Sequence, residues 1–342
     1  MSRFVTYSSA YTLVPTYECF NRCTYCNFRS DPEQPWMTLA EAQQRLDRLP
    51  PLVCEVLILS GEVHPHSPRR RLWFKRIYQL CQLALDLGFL PHTNVGPLSF
   101  AEMSQLKQVN VSMGLMVEQT TPQLLKTVHR HAPSKVPALR LQQLEWAGEL
   151  KIPFTTGLLL GIGETQQERR DTLEAIATMH QRWGHIQEVI LQPHSPGHQQ
   201  TDRVEAFNLD LLPELVAQAR RTLPASITIQ IPPNLVTDAV LLDCIAAGAG
   251  DLGGIGPKDE VNPDYPHHQY RSLATVLEKA GCQLVPRLPV YPQYYDWLPS
   301  QLQSAVTQWQ QQHHVDWGSA AGAGKEVAPQ REKGKGERGK GG

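Results

Sequence analysis

Short apolar runs alternate with amphipathic stretches along most of the chain. Eight runs have strand character: "YTLVP" (11–15), "CEVLIL" (54–59), "FLPHTN" (89–94), "VNVSMG" (109–114), "FTTGLLL" (154–160), "EVILQ" (188–192), "ITIQI" (227–231) and "DLGGI" (251–255). Two of the intervening stretches are clear helices. From Leu72 to Leu87 the 3.6-residue period puts Trp73, Ile77, Leu80, Cys81 and Ala84 on one face, and Gly88 stops it. A second helix opens on a capping box, Thr165 with Glu168, faces the core with Leu173, Ile176 and Ala177, and stops at Gly184. Strands that alternate with helices predict a parallel sheet. Eight of them, with no reversal of strand order implied, predict an α/β fold of the (β/α)8 TIM type rather than an open sheet. In such a barrel the chemistry belongs in the loops that follow the strands.

The end of the chain breaks the pattern. Residues 318–342 are Gly, Ala and charge with no apolar period, which predicts a disordered tail after a single domain spanning 1–317. That tail holds six Lys/Arg and three Glu, a net of +3; the chain as a whole is −1, so the body carries −4. A mildly acidic body has no field to attract nucleic acid. No run reaches the roughly 18–20 apolar residues of a membrane span. The N-terminus lacks the apolar core of a signal peptide. These features predict a cytoplasmic protein, with reduced thiols.

Seven cysteines sharpen the picture. Cys54, Cys81, Cys244 and Cys282 are scattered, as small buried hydrophobes would be. Cys19, Cys23 and Cys26 fall within eight positions, directly after the first strand. A structural zinc site would show a second close pair of ligands, and here His64 and His66 alone lie nearby in sequence as candidates. Three thiolates suit an iron–sulfur cluster better. On a cubane they leave one iron open, and an open metal position is a catalytic one.

The C-x3-C-x2-C spacing, with Tyr25 just before the last cysteine, resembles the signature of the radical S-adenosylmethionine superfamily. The resemblance implies a 4Fe-4S cluster held by Cys19, Cys23 and Cys26, whose open iron chelates S-adenosyl-L-methionine. One electron then splits that cosubstrate into methionine and a deoxyadenosyl radical. It also implies cosubstrate contacts on successive strand ends. "SGE" (Ser60, Gly61, Glu62) stands where the superfamily has a glycine-rich turn, with Ser60 in place of the first glycine. Asn94, Ser112, Glu118, Arg140, and Gly161 with Gly163 in "GLLLGIGET" complete the set.

Longer stretches resemble a narrower family. "YTLVPTYECFNRCTYCNF", residues 151–192 and "DLGGIGPKDEVNPDYP" (251–266) are similar to the CofG family of deazaflavin-forming synthase subunits, although "IGPKDEV" departs from the usual wording there. This implies ring closure of a hydroxybenzyl–ribitylaminouracil adduct with release of ammonia. It also implies a CofH-type partner enzyme that makes the adduct, and flavodoxin or ferredoxin as electron donor. A flat ring system and a ribityl chain call for apolar walls with several polar groups. Asn94, Gln192, His194 and Asp251 are the candidates, with Asp251 or His194 as proton acceptor and Glu188 as a further acid. The alternatives are another radical enzyme of the superfamily (the CofH type or a biotin-synthase-like maturase) and a cluster-binding protein without turnover.

Overall fold

The computed structural model describes residues 3–30, 35–200, 204–267 and 270–313. The tail expected at 318–342 lies outside the described residues. The barrel starts with β1 (Arg3–Leu13), α1 (Leu39–Leu46), β2 (Glu55–Leu59), α2 (Arg70–Asp86), β3 (Leu90–Asn94), α3 (Phe100–Leu106) and β4 (Ser112–Gly114). It continues through α4 (Pro137–Glu149), β5 (Phe154–Leu160), α5 (Gln166–Trp183), β6 (Ile186–Pro193), α6 (Leu212–Thr222) and β7 (Thr228–Gln230). It ends with α7 (Asp238–Ala247), β8 (Asp251–Ile255), α8 (Tyr270–Lys279), β9 (Cys282–Arg287) and α9 (Ser300–His313).

Every strand pairs in parallel with the next from β2 to β8, and β1 closes the ring by pairing with both β8 and β2. This is the closed eight-stranded barrel the pattern predicts. The helices follow the same logic. The face expected on α2 is the buried face, and α5 starts on the Thr165–Glu168 box, with Leu173, Ile176 and Ala177 turned inward.

Two features differ from the sequence pattern. β1 begins at Arg3, well before Tyr11, and uses its extra length to pair residues 3–8 with a ninth strand. Since residues 6 and 8 already pair with β8 on one edge, β9 must share the other edge with β2. β9 and the segment after it then close the bottom of the barrel. Leu288, Val290, Tyr291 and Tyr294 pack with Leu302, Val306 and Trp309 of α9 against Cys54, Leu90 and Val111, at the N-terminal ends of β2, β3 and β4. The Pro289 carbonyl accepts from Ser112 Oγ (2.6 Å) and Gln187 Nε2 (3.0 Å), so even the plug's backbone is satisfied. With the bottom sealed, access to the interior is from the C-terminal ends of the strands. Among the described residues no helix is long and apolar enough to cross a membrane.

Candidate active site

The loop after β1 carries the three clustered cysteines over the mouth of the barrel. Backbone bonds hold it to the loops after β2 and β4: Phe20 N–H to Glu62 O (3.0 Å), Arg22 N–H to His131 O (2.8 Å) and Thr24 N–H to Val128 O (3.1 Å). Cys26 N–H bonds back to Cys23 O (3.1 Å), turning both thiols within one tight loop. Desolvation, then the Glu62 charge, pushes the Cys19 thiol up to about 11; burial pushes Cys23 up to about 12. Burial outweighs even the pull of Lys135 on Cys23, so no local cation holds these two buried thiols as thiolates. A metal cluster that takes up the sulfur charge fits that donor set. No three His, Cys, Asp or Glu side chains among the described residues converge on a single-ion site. The four scattered cysteines are all buried.

Behind the loop lies a cavity of about 310 Å³ lined by Tyr25, Cys26, Ser60, Glu62, Asn94, Glu118, Arg140 and His194, among others. Its charges are paired. Arg140, 1% exposed on α4, reaches Glu62 Oε1 (3.2 Å), Met116 O (2.5 Å) and Ser134 O (3.2 Å). Asn21 donates to Glu62 Oε2 (2.9 Å) and to Ser134 Oγ (2.8 Å). Lys135 donates to Glu118 Oε1 (2.5 Å). Burial opposes both charges of that pair; Lys135 and Arg140 nevertheless hold the Glu118 carboxyl below its ordinary range, and Glu118 and Cys23 hold Lys135 above its own. Glu118 is also held at φ 65°, a left-handed backbone that costs a non-glycine residue of order 1 kcal/mol or more and tends to persist where function needs it.

Gly61 is the position where the turn after β2 tolerates no side chain: a Cβ there would lie 2.1 Å from the Glu18 carbonyl oxygen. Ser60, by contrast, is accommodated. Its hydroxyl accepts from Trp73 Nε1 (3.0 Å) and donates to Gly61 O (2.8 Å), away from any need for a second glycine. Tyr25 bonds His129 through its hydroxyl (2.9 Å) and stands edge-on to His194. The His194 Nδ1 faces the Glu205 carbonyl (2.9 Å) and so carries the proton; its Nε2 accepts from Gln200 (3.2 Å).

Other expected positions fall elsewhere. Ser112 lies in β4 as expected, but it opens the strand, and its hydroxyl is engaged by His92 Nδ1 (2.6 Å) and Pro289 O at the bottom of the barrel. Gly161 and Gly163 take positive φ in a turn that Glu164 ties down by accepting from Gly161 N–H (2.8 Å) and Ile162 N–H (2.9 Å). None of these three lines either central cavity. Asp251 begins β8 and is fully buried. Arg287 Nε and Nη2 (2.6 and 2.9 Å), Thr6 Oγ1 (2.5 Å) and Gly253 N–H (2.6 Å) take up its oxygens, which leaves no room for the proton acceptor expected there.

A second cavity, about 180 Å³, runs down the barrel axis from the same mouth. It shares Leu57, Leu59, Asn94, Ile190, Gln192, Val261 and Asn262 with the first, so the two adjoin. The divergent loop after β8 forms its rim with Lys258, Asp259, Glu260, Val261 and Asn262. Three bonds pin that loop across the mouth: Tyr17 Oη to Glu260 Oε2 (2.8 Å), Asn27 Nδ2 to Asp264 Oδ2 (2.8 Å) and Asn234 Nδ2 to Asp259 Oδ2 (2.9 Å). Sequence reasoning missed Asn21, Lys135, Glu55, His92 and Arg287. Asn21 sits in the irregular cysteine loop and Lys135 ends a single 3-10 turn (133–135), with no pattern to flag either.

Known proteins match this chain over most of its length. The radical SAM superfamily profile matches residues 13–176, from the cysteine loop into α5. A 7,8-didemethyl-8-hydroxy-5-deazariboflavin synthase of Trichormus variabilis is 68% identical over 315 residues, covering 91% of this chain and 93% of that one. The enzyme of that name from Synechocystis sp. is 60% identical over 306 residues, covering 89% and 98%. Among solved structures, the FeFe-hydrogenase maturase HydG of Carboxydothermus hydrogenoformans superposes with a TM-score of 0.67 at 16% identity, over 92% of this chain and 79% of that one. Methylornithine synthase PylB gives 0.61 at 15% identity, over 83% and 84%. These structural likenesses bear on the fold alone.

Proposed function

The chain belongs to the family of 7,8-didemethyl-8-hydroxy-5-deazariboflavin synthases, which are radical SAM enzymes, and from that premise we propose that it closes the deazaflavin ring of a hydroxybenzyl–ribitylaminouracil adduct with loss of ammonia. The observation that carries this reading is the pair of adjoining cavities at one barrel mouth, one beside the cysteines and one down the axis. A radical enzyme of this kind must hold a cosubstrate and a second, ring-shaped molecule side by side.

In this reading Cys19, Cys23 and Cys26 hold a 4Fe-4S cluster. When bound and reduced, the cluster would supply the electron that cleaves S-adenosyl-L-methionine. The remaining chemistry of the site is orientation. The larger cavity receives the cosubstrate. Gly61 lets the backbone approach its amino group, and the Glu62–Arg140 and Glu118–Lys135 pairs address its charged and hydroxyl groups. Tyr25, Ser60 and Asn94 form walls. These pairs are already neutralised and pre-positioned, so little reorganisation is needed on binding. His194, with both ring nitrogens engaged, fixes the wall beside Tyr25. The adduct enters the axial cavity past Gln192 and Asn94, and the loop of 256–262 excludes water over it. A CofH-type enzyme supplies the adduct, and flavodoxin or ferredoxin the electron, in a reducing cytoplasm.

The test is an anaerobic assay of the cluster-reconstituted protein with S-adenosyl-L-methionine, dithionite and the adduct. The expected result is deazaflavin fluorescence together with 5′-deoxyadenosine and free ammonia. Deoxyadenosine with no fluorescent product would overturn the substrate, and neither product would overturn the activity.

A further inference from the structure

The floor of the axial cavity holds more acid than base. Along β2 the cavity meets Glu55, Leu57 and Leu59; along β6 it meets Glu188, Ile190 and Gln192. The cavity therefore has a polar floor, an apolar waist and a polar mouth, over about 13 Å for the four residue steps of strand at ~3.3 Å each. At the floor one cation, Arg287, faces three carboxyls. It gives two hydrogen bonds to Asp251 and pairs with Glu188. Glu188 accepts also from Tyr291 Oη (2.9 Å) and Thr155 Oγ1 (3.0 Å). Glu55, 7% exposed, is bonded by Ser8. Small residues keep the space before it open: Ala10 and Gly254 line the cavity, and a Cβ on Gly254 would lie 4.0 Å from Glu55 Oε2.

Burial, then the nearby Asp251 charge, raises Glu188 to about 7, and burial raises Glu55 as well, each against the pull of Arg287. A carboxyl that takes up a proton can donate as well as accept. Such a floor suits a ligand end that offers several hydroxyls, each able to do the same. An apolar or shortened end would leave Glu55, which has the fewest protein partners of the three acids, without a ligand partner, a cost that a site built for hydroxyls turns into discrimination.

We propose that Glu55 and Glu188, on the floor of the axial cavity, recognise the polyhydroxylated side chain of the substrate, which threads down the barrel while its rings lie across the waist and mouth. This rests on the ring-closing function proposed above. The two residues are specificity determinants, with Glu55 the cleaner probe because Arg287 keeps Asp251 and Glu188 when it changes.

The experiment measures binding of the fluorescent deazaflavin product to the cluster-loaded protein, against the same ring system with a methyl group in place of the ribityl chain. Wild-type protein should prefer the full chain by about 100-fold. Glu55→Gln should lower that preference about tenfold, mainly by weakening binding of the ribityl compound. The wild-type comparison stands even if a variant fails to fold. Equal affinities for the two compounds would overturn the inference. So would a preference that Glu55→Gln leaves intact. An absence of any ring closure by wild-type protein would instead strike the proposed function itself.

Discussion

The two ends of the barrel both bury charge, and they balance it differently. At the mouth Glu62 and Glu118 meet Arg140 and Lys135 one for one, and the result is a carboxyl, Glu118, held in its ionised form. At the floor Arg287 stands against Asp251, Glu188 and Glu55, and two of these, Glu188 and Glu55, are raised above the ordinary carboxylate range by burial. The difference comes from neighbours, since burial opposes ionisation of Glu118 at the mouth as it does of Glu55 and Glu188 at the floor. A balanced set offers fixed charges to a charged, zwitterionic ligand. An acid-rich set with shared protons offers hydrogen bonds to a neutral one. The proposed assignment, cosubstrate to the mouth and polyol to the floor, follows from that contrast.

The largest expected effect removes the mouth's chemistry altogether. Changing Cys19, Cys23 or Cys26 to Ala should abolish both the visible absorbance of the reconstituted cluster and all turnover. Cys54→Ala and Cys244→Ala, which alter buried packing elsewhere, should leave the absorbance in place. The next effect breaks the floor. Arg287→Met strands three buried carboxyls and should destabilise the fold by about 3–5 kcal/mol, read as a lowered denaturant midpoint. At the mouth, Glu118→Gln keeps shape but removes the charge facing Lys135. It should raise the KM for S-adenosyl-L-methionine by about tenfold, since a hydrogen bond to a charged group contributes about 1.5–3 kcal/mol, and it should also lower the melting temperature, because Lys135 stays buried without its carboxylate.

The smallest effect sharpens the electrostatic contrast by pH. Glu188 has a folded-state pKa near 7, raised chiefly by burial from an ordinary 4.5. The folded protein thus binds more protons than the unfolded chain between those values. Stability from this group is whole below about 4.5 and declines as pH rises toward and past 7. Glu188→Gln removes the decline, so the variant's melting temperature relative to wild type should climb from pH 5 to pH 8. His92, held down to about 3 by burial and Arg287, acts in the opposite sense between 6.5 and 3, but it is present in both proteins and cancels in the difference. A flat difference across that range would mean that Glu188 is ionised throughout.

Much of the mouth was legible in the chain because its signals are local. The cysteine spacing, the "SGE" turn and the placement of Asn94 and Glu118 near strand ends each need only a short window and a strand boundary. The floor was less legible, although part of its signal was present. Glu188 was already a candidate acid, and the period-two alternation that puts it on the face of Ile190 and Gln192 also puts Glu55 on the face of Leu57 and Leu59, so Glu55 too could have been read as inward. Arg287 could not, because β9 pairs with the far N-terminal half of β1 and no local pattern announces such a partner. Asp251 and Ser112 were displaced for a related reason. Each opens a strand, so its side chain joins the sealed bottom, whereas the loops that end strands frame the mouth.

Two ligands in two adjoining cavities should be able to bind at once. Binding of the deazaflavin product to the cluster-loaded protein, measured by its fluorescence with and without saturating S-adenosyl-L-methionine, tests that claim. The account expects the product to bind in both conditions with equal or greater affinity when the cosubstrate is present. Mutual displacement would contradict it, because one shared site would then serve both molecules.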